Sequence, residues 1–301
     1  MSAVVHQPLK SPRAGPGELQ ERAEPVVSVA IPTRNSGRVI ARCLESVRRQ
    51  TYPYLDVVVV DGSSSDSTCR VAAAYGAQVV SCPAGLLAAR YEGVLRSRGR
   101  YVLLLDSDQV LEPTAIERAV AMMDQGYDML VLEEMSLAAR NWLQRLFAAH
   151  RRLIHRQIDA RSLDPYRGTV LPRFFRRDLL LRAFERIPGE VMERVVHHDH
   201  AIIYLECWRL SKKVGFLPRA VYHQEPSSLA EVWRRNFRYG RSLAVFDSGN
   251  PYSELARRRD GYIWPRRIRP GDVPLAIQSA LLLMLLKVAQ MAGLLWQKVC
   301  R

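Results

Sequence analysis

Two glycine-rich signatures are missing from this 301-residue chain. No G-x-G-x-x-G follows the first apolar run, which weakens a dinucleotide-dehydrogenase assignment. No G-x-x-x-x-G-K-[ST] occurs, which excludes a P-loop NTPase. The five cysteines (Cys43, Cys69, Cys82, Cys207, Cys300) are odd in number and form no C-x-x-C pair. That argues against a disulfide framework or a zinc site and fits a reducing, cytoplasmic compartment. Lysine is scarce: only Lys10, Lys212, Lys213, Lys287 and Lys298 among 44 basic residues. Arginine dominance suits bidentate phosphate contacts, and equally suits a codon-biased genome. The N-terminus shows no apolar signal-peptide core, and residues 1–24, rich in Pro, Gly and charge, read as a disordered lead-in. Internal repeats are absent.

The 48% hydrophobic content supports a sizeable core, and the net charge of +14 points to an anionic partner: nucleotide, nucleic acid or anionic lipid. From Val26 the chain alternates apolar runs with helical periodicity. Strands are expected at Val26–Ile31, Leu55–Val60, Ala77–Ser81, Tyr101–Leu105 and Tyr127–Leu132, and helices between them, the first N-capped by Ser36. This is the pattern of an α/β fold: a mainly parallel sheet with helices on both faces. The boundaries are a domain over 25–245, in halves 25–135 and 136–245, then a basic linker and an apolar C-terminal helix over 246–301. In the second half, Lys213–Leu217 and Ala220–His223 look like two short strands, and Leu229–Ser242 like a basic helix.

Each polar strand end falls on one edge of such a sheet, so Asp61 and the Asp106-Ser107-Asp108 turn should share a crevice. Two carboxylates at i and i+2 there suit a hard divalent cation and the phosphates it carries, although a solvated turn has the same composition. His197-His198-Asp199-His200 could set His197 and His200, at i and i+3, as metal ligands on one helix face, while Asp199 on its own suits a helix N-cap. Val273–Leu295 is apolar but for Gln278, Ser279, Lys287 and Gln290. Its uncharged run to Leu286 is shorter than a spanning helix, so an interfacial or partner-packed helix is expected, the alternatives being an ordinary helix packed on the domain and a true span with Lys287 inside it.

Taken together, V-S-V-A-I-P-T-R-N, V-V-V-V-D-G-S-S-S-D-S-T and L-L-L-D-S-D, at this spacing, resemble the family 2 glycosyltransferases of the GT-A fold, over about Val26–Tyr239. The resemblance implies an inverting, metal-dependent enzyme that moves one sugar from a nucleotide-diphosphate donor, UDP by default and GDP as the alternative, to a hydroxyl or lipid-linked acceptor in cell-surface polysaccharide synthesis. It implies Pro32, Thr33, Asn35 and Asp61 at the nucleoside, with Arg90, Asp106 and Ser107 completing the donor site. Asp108 and His223 would hold Mn2+ or Mg2+. Asp199 would be the base, in an E-D motif where His198 replaces the usual Glu, with His198 and Gly168 on the acceptor side. The Q-x-x-R-W motif of processive synthases is absent, so one transfer per event is expected. Residues 273–297 imply peripheral attachment at the cytoplasmic face of a membrane. The rivals are an NDP-sugar nucleotidyltransferase, for which P-T-R-N-S-G-R is a poor phosphate loop, and a non-catalytic basic nucleic-acid binder, for which no motif accompanies the charge.

Overall fold

The computed structural model describes residues 25–300 except 157, 159, 161–162, 167–170, 248 and 261–267. The lead-in over residues 1–24 and the predicted acceptor residue Gly168 therefore lie outside the described residues. The first half runs β1 (Val27–Thr33), α1 (Ile40–Arg48), β2 (Leu55–Asp61), α2 (Thr68–Ala74), β3 (Gln78–Ser81), α3 (Leu86–Arg96), β4 (Tyr101–Leu104), β5 (Gln109–Leu111) and α4 (Ala115–Asp124). The second half runs β6 (Met129–Ser136), α5 (Trp142–His155), β7 (Pro172–Arg176), α6 (Arg177–Phe184), α7 (Gly189–Arg194), α8 (Asp199–Leu210), β8 (Val214–His223), α9 (Leu229–Leu243), α10 (Ser253–Asp260) and α11 (Val273–Val299).

The strands form one sheet in the order β3-β2-β1-β4-β7-β6-β8-β5. The quartet β3-β2-β1-β4 is parallel, as its βαβ crossovers require. Beyond β4 the sheet is mixed: β7 is antiparallel to β4 and β6, β8 is parallel to β6, and β5 is antiparallel to β8. Strands β1 and β4 are buried on both faces, which is why they read as unbroken apolar runs rather than alternating ones. One face carries α1 and α4, with Ile40, Leu44, Ile116 and Met123 in the core. The opposite face carries α3, α6 and α8, with Leu87, Val94, Leu180, Phe184 and Ile203.

Two local expectations change. The two short strands are one strand, β8, which continues through Pro218-Arg219 by a register shift opposite Leu132/Glu134. Proline has no N–H to give a ladder, and Arg219 takes a left-handed conformation (φ 48°), so the bulge absorbs what would otherwise end the strand. Ser36 does not cap α1 with its side chain. Its hydroxyl hydrogen-bonds the Ser107 hydroxyl at 2.9 Å, while its carbonyl accepts from the Ile40 N–H at 2.9 Å. The predicted cap thus ties the first strand's loop to the D-S-D turn.

Helices α5, α9 and α11 form a layer of their own. The α9 and α11 backbones meet where Gly240 faces the Gln290 carbonyl and Gly293 faces the Phe237 carbonyl, with no space for a Cβ at either glycine. Across the layer His150 Nδ1 bonds Ser279 Oγ at 2.7 Å, Gln290 Nε2 donates to Asn236 Oδ1 at 3.3 Å, and Arg241 Nε donates to Gln297 Oε1 at 2.9 Å. Gly293→Val should therefore push α11 off α9 and speed tryptic cleavage of the C-terminal segment. An unchanged digestion pattern would mean that the two helices do not meet there.

Candidate active site

The parallel half delivers its strand ends to one edge. Thr33 and Asp61 are register partners at the ends of β1 and β2. Asp61 Oδ2 accepts from the Ser64 N–H at 2.8 Å and Oδ1 from the Ser64 hydroxyl at 2.5 Å. Asn35 sits in the left-handed region (φ 50°), a conformation that its short polar side chain tolerates. Its N–H donates to Ser64 Oγ at 2.8 Å and its Oδ1 accepts from the Ser65 N–H at 2.9 Å. The two loops are thereby laced together. Pro32 and Thr33 are buried, and Thr33 Oγ1 is a buried hydroxyl with no hydrogen-bond partner among the described residues.

One strand over, β4 runs into the D-S-D turn, which is closed by Asp106 N–H to Gln109 Oε1 at 2.9 Å and Gln109 N–H to the Asp106 carbonyl at 3.0 Å. The Asp108 carbonyl accepts from the Gln224 N–H at 2.8 Å, which brings the end of β8 alongside. Asp108 Oδ2 then stands 3.5 Å from His223 Nε2 and 3.6 Å from an Arg235 Nη.

These groups belong to an unbroken chain of ion pairs of alternating sign. Arg90 of α3 donates Nε to Asp199 Oδ2 at 2.5 Å and Nη2 to Asp106 Oδ1 at 2.6 Å. Arg173 of β7 donates to Asp106 Oδ2 at 2.9 Å and to Glu134 Oε1 at 2.5 Å. Arg151 of α5 reaches Glu134 at 3.0 Å and Glu225 at 3.0 Å. Glu225 lies 3.4 Å from His223 Nδ1, and His223 leads to Asp108 and Arg235. A buried ion pair of this kind adds little net stability over apolar packing, but it fixes the geometry of every member.

The charges set the protonation states. Burial raises the Asp106 pKa, yet Arg90 and Arg173 outweigh it and hold the carboxyl well below the usual range. Asp199 is lowered in the same way: burial opposes, while Arg90 and His200 prevail. Glu134, with burial opposing Arg173 and Arg151, falls to about 2. His200 falls to about 4 because it is buried and flanked by Arg173 and Arg90. A neutral His200 can accept from Arg173 Nη1 at 2.6 Å.

His150, His155 and His200 are all lowered, burial being the main cause in each. A folded pKa below the unfolded value gives stability that is complete above pH ~6.5 and is lost as pH falls towards the folded value. His223, raised by Asp108 and Glu225 against the effect of burial, works in the opposite sense, one group against three. Urea midpoints should therefore drop between pH 7 and pH 5, each lowered histidine contributing at most ~1.4 kcal/mol per pH unit. A flat profile would contradict this assignment.

The structure thus links Asp106, Asp108, Asp199, Arg90 and His223 through contacts and places Pro32, Thr33, Asn35, Asp61 and Ser107 on the same sheet edge. Arg90 is not an open fork: two of its nitrogens hold carboxylates, and buried Nη1 is the one without a partner among the described residues. His198 occupies the N-cap position of α8 with φ 66°, its ring against His197 and Phe246. The metal-pair reading of His197 and His200 fails. The His197 ring stacks on Tyr239, with centroids 4.8 Å apart, whereas His200 faces Arg173. Five network members went unassigned in the sequence: Glu134, Arg151, Arg173, Glu225 and Arg235. The available signal was a charged residue inside an apolar strand, Arg173 beside Phe174 and Phe175.

A sheet of this order with acidic groups at the β2 and β4 ends has the GT-A type of α/β fold. It is similar to S. aureus TarS 1–349 in complex with UDP-GlcNAc, with a TM-score of 0.55 at 17% identity, over 87% of this chain and 81% of that one. Glucosyl-3-phosphoglycerate synthase from Mycobacterium tuberculosis, in complex with Mn2+, UDP and glucosyl-3-phosphoglycerate, gives a TM-score of 0.52 at 19% identity, over 81% and 85%. In sequence, chondroitin synthase of Escherichia coli is 36% identical over 99 residues, 31% of this chain and 14% of that protein, so the match spans a small part of the relative's length. Residues 28–161, a little under half of the chain, match the model of glycosyl transferase family 2.

Proposed function

We propose that this protein is a glycosyltransferase that moves a single sugar, with inversion, from a nucleotide-diphosphate donor to a hydroxyl acceptor in polysaccharide synthesis. UDP is the favoured nucleotide and GDP the alternative. The observation that supports this is the linkage of Asp108–His223, at the sheet edge, to the ionised Asp199 through one chain of ion pairs.

Asp108 and His223 fit a divalent cation. Their Oδ2–Nε2 separation of 3.5 Å is close to the ~3 Å between neighbouring ligands of an ion bound at 2.0–2.2 Å. Bound there, Mn2+ or Mg2+ would supply positive charge against the leaving diphosphate. Arg235, on the same carboxylate, is the protein's own cation at that point and is available to the diphosphate. Asp61, with Pro32, Thr33 and Asn35, would receive the nucleoside. Asp106 and Ser107 would line the donor side, while Arg90 positions Asp106 and Asp199 and offers only Nη1 to the donor. Asp199, ionised and pinned by Oδ2, has no hydrogen-bond partner at Oδ1 among the described residues, so Oδ1 would take the acceptor proton. A single base and a single displacement invert the anomeric centre. His198, next to Asp199, would face the acceptor. The five free cysteines suit action on the cytoplasmic side.

Incubation with a panel of NDP-sugars and Mn2+ tests the reaction class. The expected product is free NDP from one donor. Pyrophosphate release would indicate a nucleotidyltransferase instead, and no turnover with salt-sensitive nucleic-acid binding would indicate a binding protein.

A further inference from the structure

Helix α11 has two faces. Ala276, Ser279, Leu282, Ala289, Gln290 and Gly293 are buried, and its polar groups bond to α5 and α9. The opposite face is a continuous exposed stripe at spacings of three and four: Val273, Ile277, Leu281, Met284, Val288, Met291, Leu295 and Val299, with Met291 61% exposed. Twenty-seven residues make a stripe about 40 Å long. Pro270–Val299 is long and apolar enough to cross a membrane by length and composition. Docked as it is, the helix lies along the protein instead. One side is bonded to α9, which carries exposed Arg234, Arg238 and Arg241, and Arg156, the residue that ends α5, pairs with Asp272 at its start.

We propose that this face is a docking surface for an anionic lipid bilayer, on which α11 lies in the interfacial plane. Three observations choose that occupant. No acidic residue occurs between Val273 and Val299, whereas Lys287 and Lys298 lie on the helix and Arg269 just before it. Basic groups bordering an apolar stripe complement anionic headgroups. Exposed tryptophans mark all three helices of the layer, Trp142 on α5, Trp233 on α9 and Trp296 on α11, and indoles favour the headgroup level. A second copy of the helix would set lysine against lysine with no acidic partner, whereas coiled-coil seams are normally flanked by complementary charges.

The proposal names a partner for the transferase proposed above. It rests on that reading only for its use: α9 and α5 supply Arg235 and Arg151 to the crevice, so docking would bring the crevice beside the lipid surface and favour a lipid-linked acceptor. Binding is tested without nucleotide, so its failure leaves sugar transfer untouched. The experiment is co-sedimentation of the full chain with phosphatidylcholine vesicles, with and without phosphatidylglycerol, alongside light scattering. Wild type should pellet with the anionic vesicles. Met284→Glu/Met291→Glu, at exposed positions, should lower partitioning about tenfold or more while UDP binding stays unchanged. The proposal is overturned if wild type remains in the supernatant, if the variant partitions as well as wild type, or if the wild type is a dimer that the variant splits without any vesicle binding.

Discussion

Asp199→Asn is expected to lower the transfer rate by about 10²–10⁴-fold, the range of a lost general base, and to leave UDP affinity and the unfolding midpoint close to wild type. Asparagine keeps the shape of the side chain and an oxygen for Arg90 Nε, now 2.5 Å from Oδ2, but it has no basicity. Alanine is the poorer test. It would leave the Arg90 guanidinium, buried among Asp199 and Asp106, short of a partner, and breaking a buried pair costs about 3–5 kcal/mol. Loss of rate would then be confounded with loss of fold. A kcat within tenfold of wild type for Asp199→Asn would remove this residue from the role of base.

Arg173→Met should be the most destabilising change in the site, by about 3 kcal/mol, because it takes from both Asp106 and Glu134 one of the two guanidiniums that each holds and leaves Arg90 and Arg151 to balance them alone. Urea unfolding measures this, with exposed Arg145→Met as a control expected within about 0.5 kcal/mol of wild type. The deficit should also depend on pH. Glu134, its burial offset by Arg173 and Arg151, has a folded pKa of about 2, so its contribution is present above the unfolded carboxylate pKa and fades as pH falls through the folded one. Without Arg173 the folded pKa rises, although Arg151 still lowers it, and that contribution is smaller at neutral pH. The gap between variant and wild type should therefore narrow in acid. An equal gap at pH 7 and pH 4 would mean that Arg173 acts through packing rather than charge.

The parallel half was legible because strands buried on both faces leave long apolar runs, and because Asp61 and Asp106 interrupt those runs at their ends. The mixed half was less so. Pairing of β7 with β4 and β6 depends on partners far apart in sequence, and Pro218 inside β8 reads as a break until the bulge opposite β6 is seen. Ion-pair partners carry no periodicity: Arg90 and Asp199 are 109 residues apart, so the sequence did not reveal that carboxylates hold the Arg90 guanidinium. Ser36 has the composition of a helix cap, but the nearby Ser107 hydroxyl is its partner. For α11, apolar almost throughout, Gly240 and Gly293 and the bonds to His150, Asn236 and Arg241 mark the face that docks on the protein.

The D-S-D edge as a cation-dependent nucleotide-diphosphate site is tested most directly by calorimetric titration of UDP into wild type and Asp108→Asn, with Mn2+ and with chelator. Wild type should bind UDP with Mn2+ and lose at least about tenfold in affinity with chelator, a difference of about 1.4 kcal/mol. Asp108→Asn should show the weaker affinity in both conditions. Equal UDP affinity with and without Mn2+ in the wild type, or a Mn2+ response that survives in Asp108→Asn, would contradict the account.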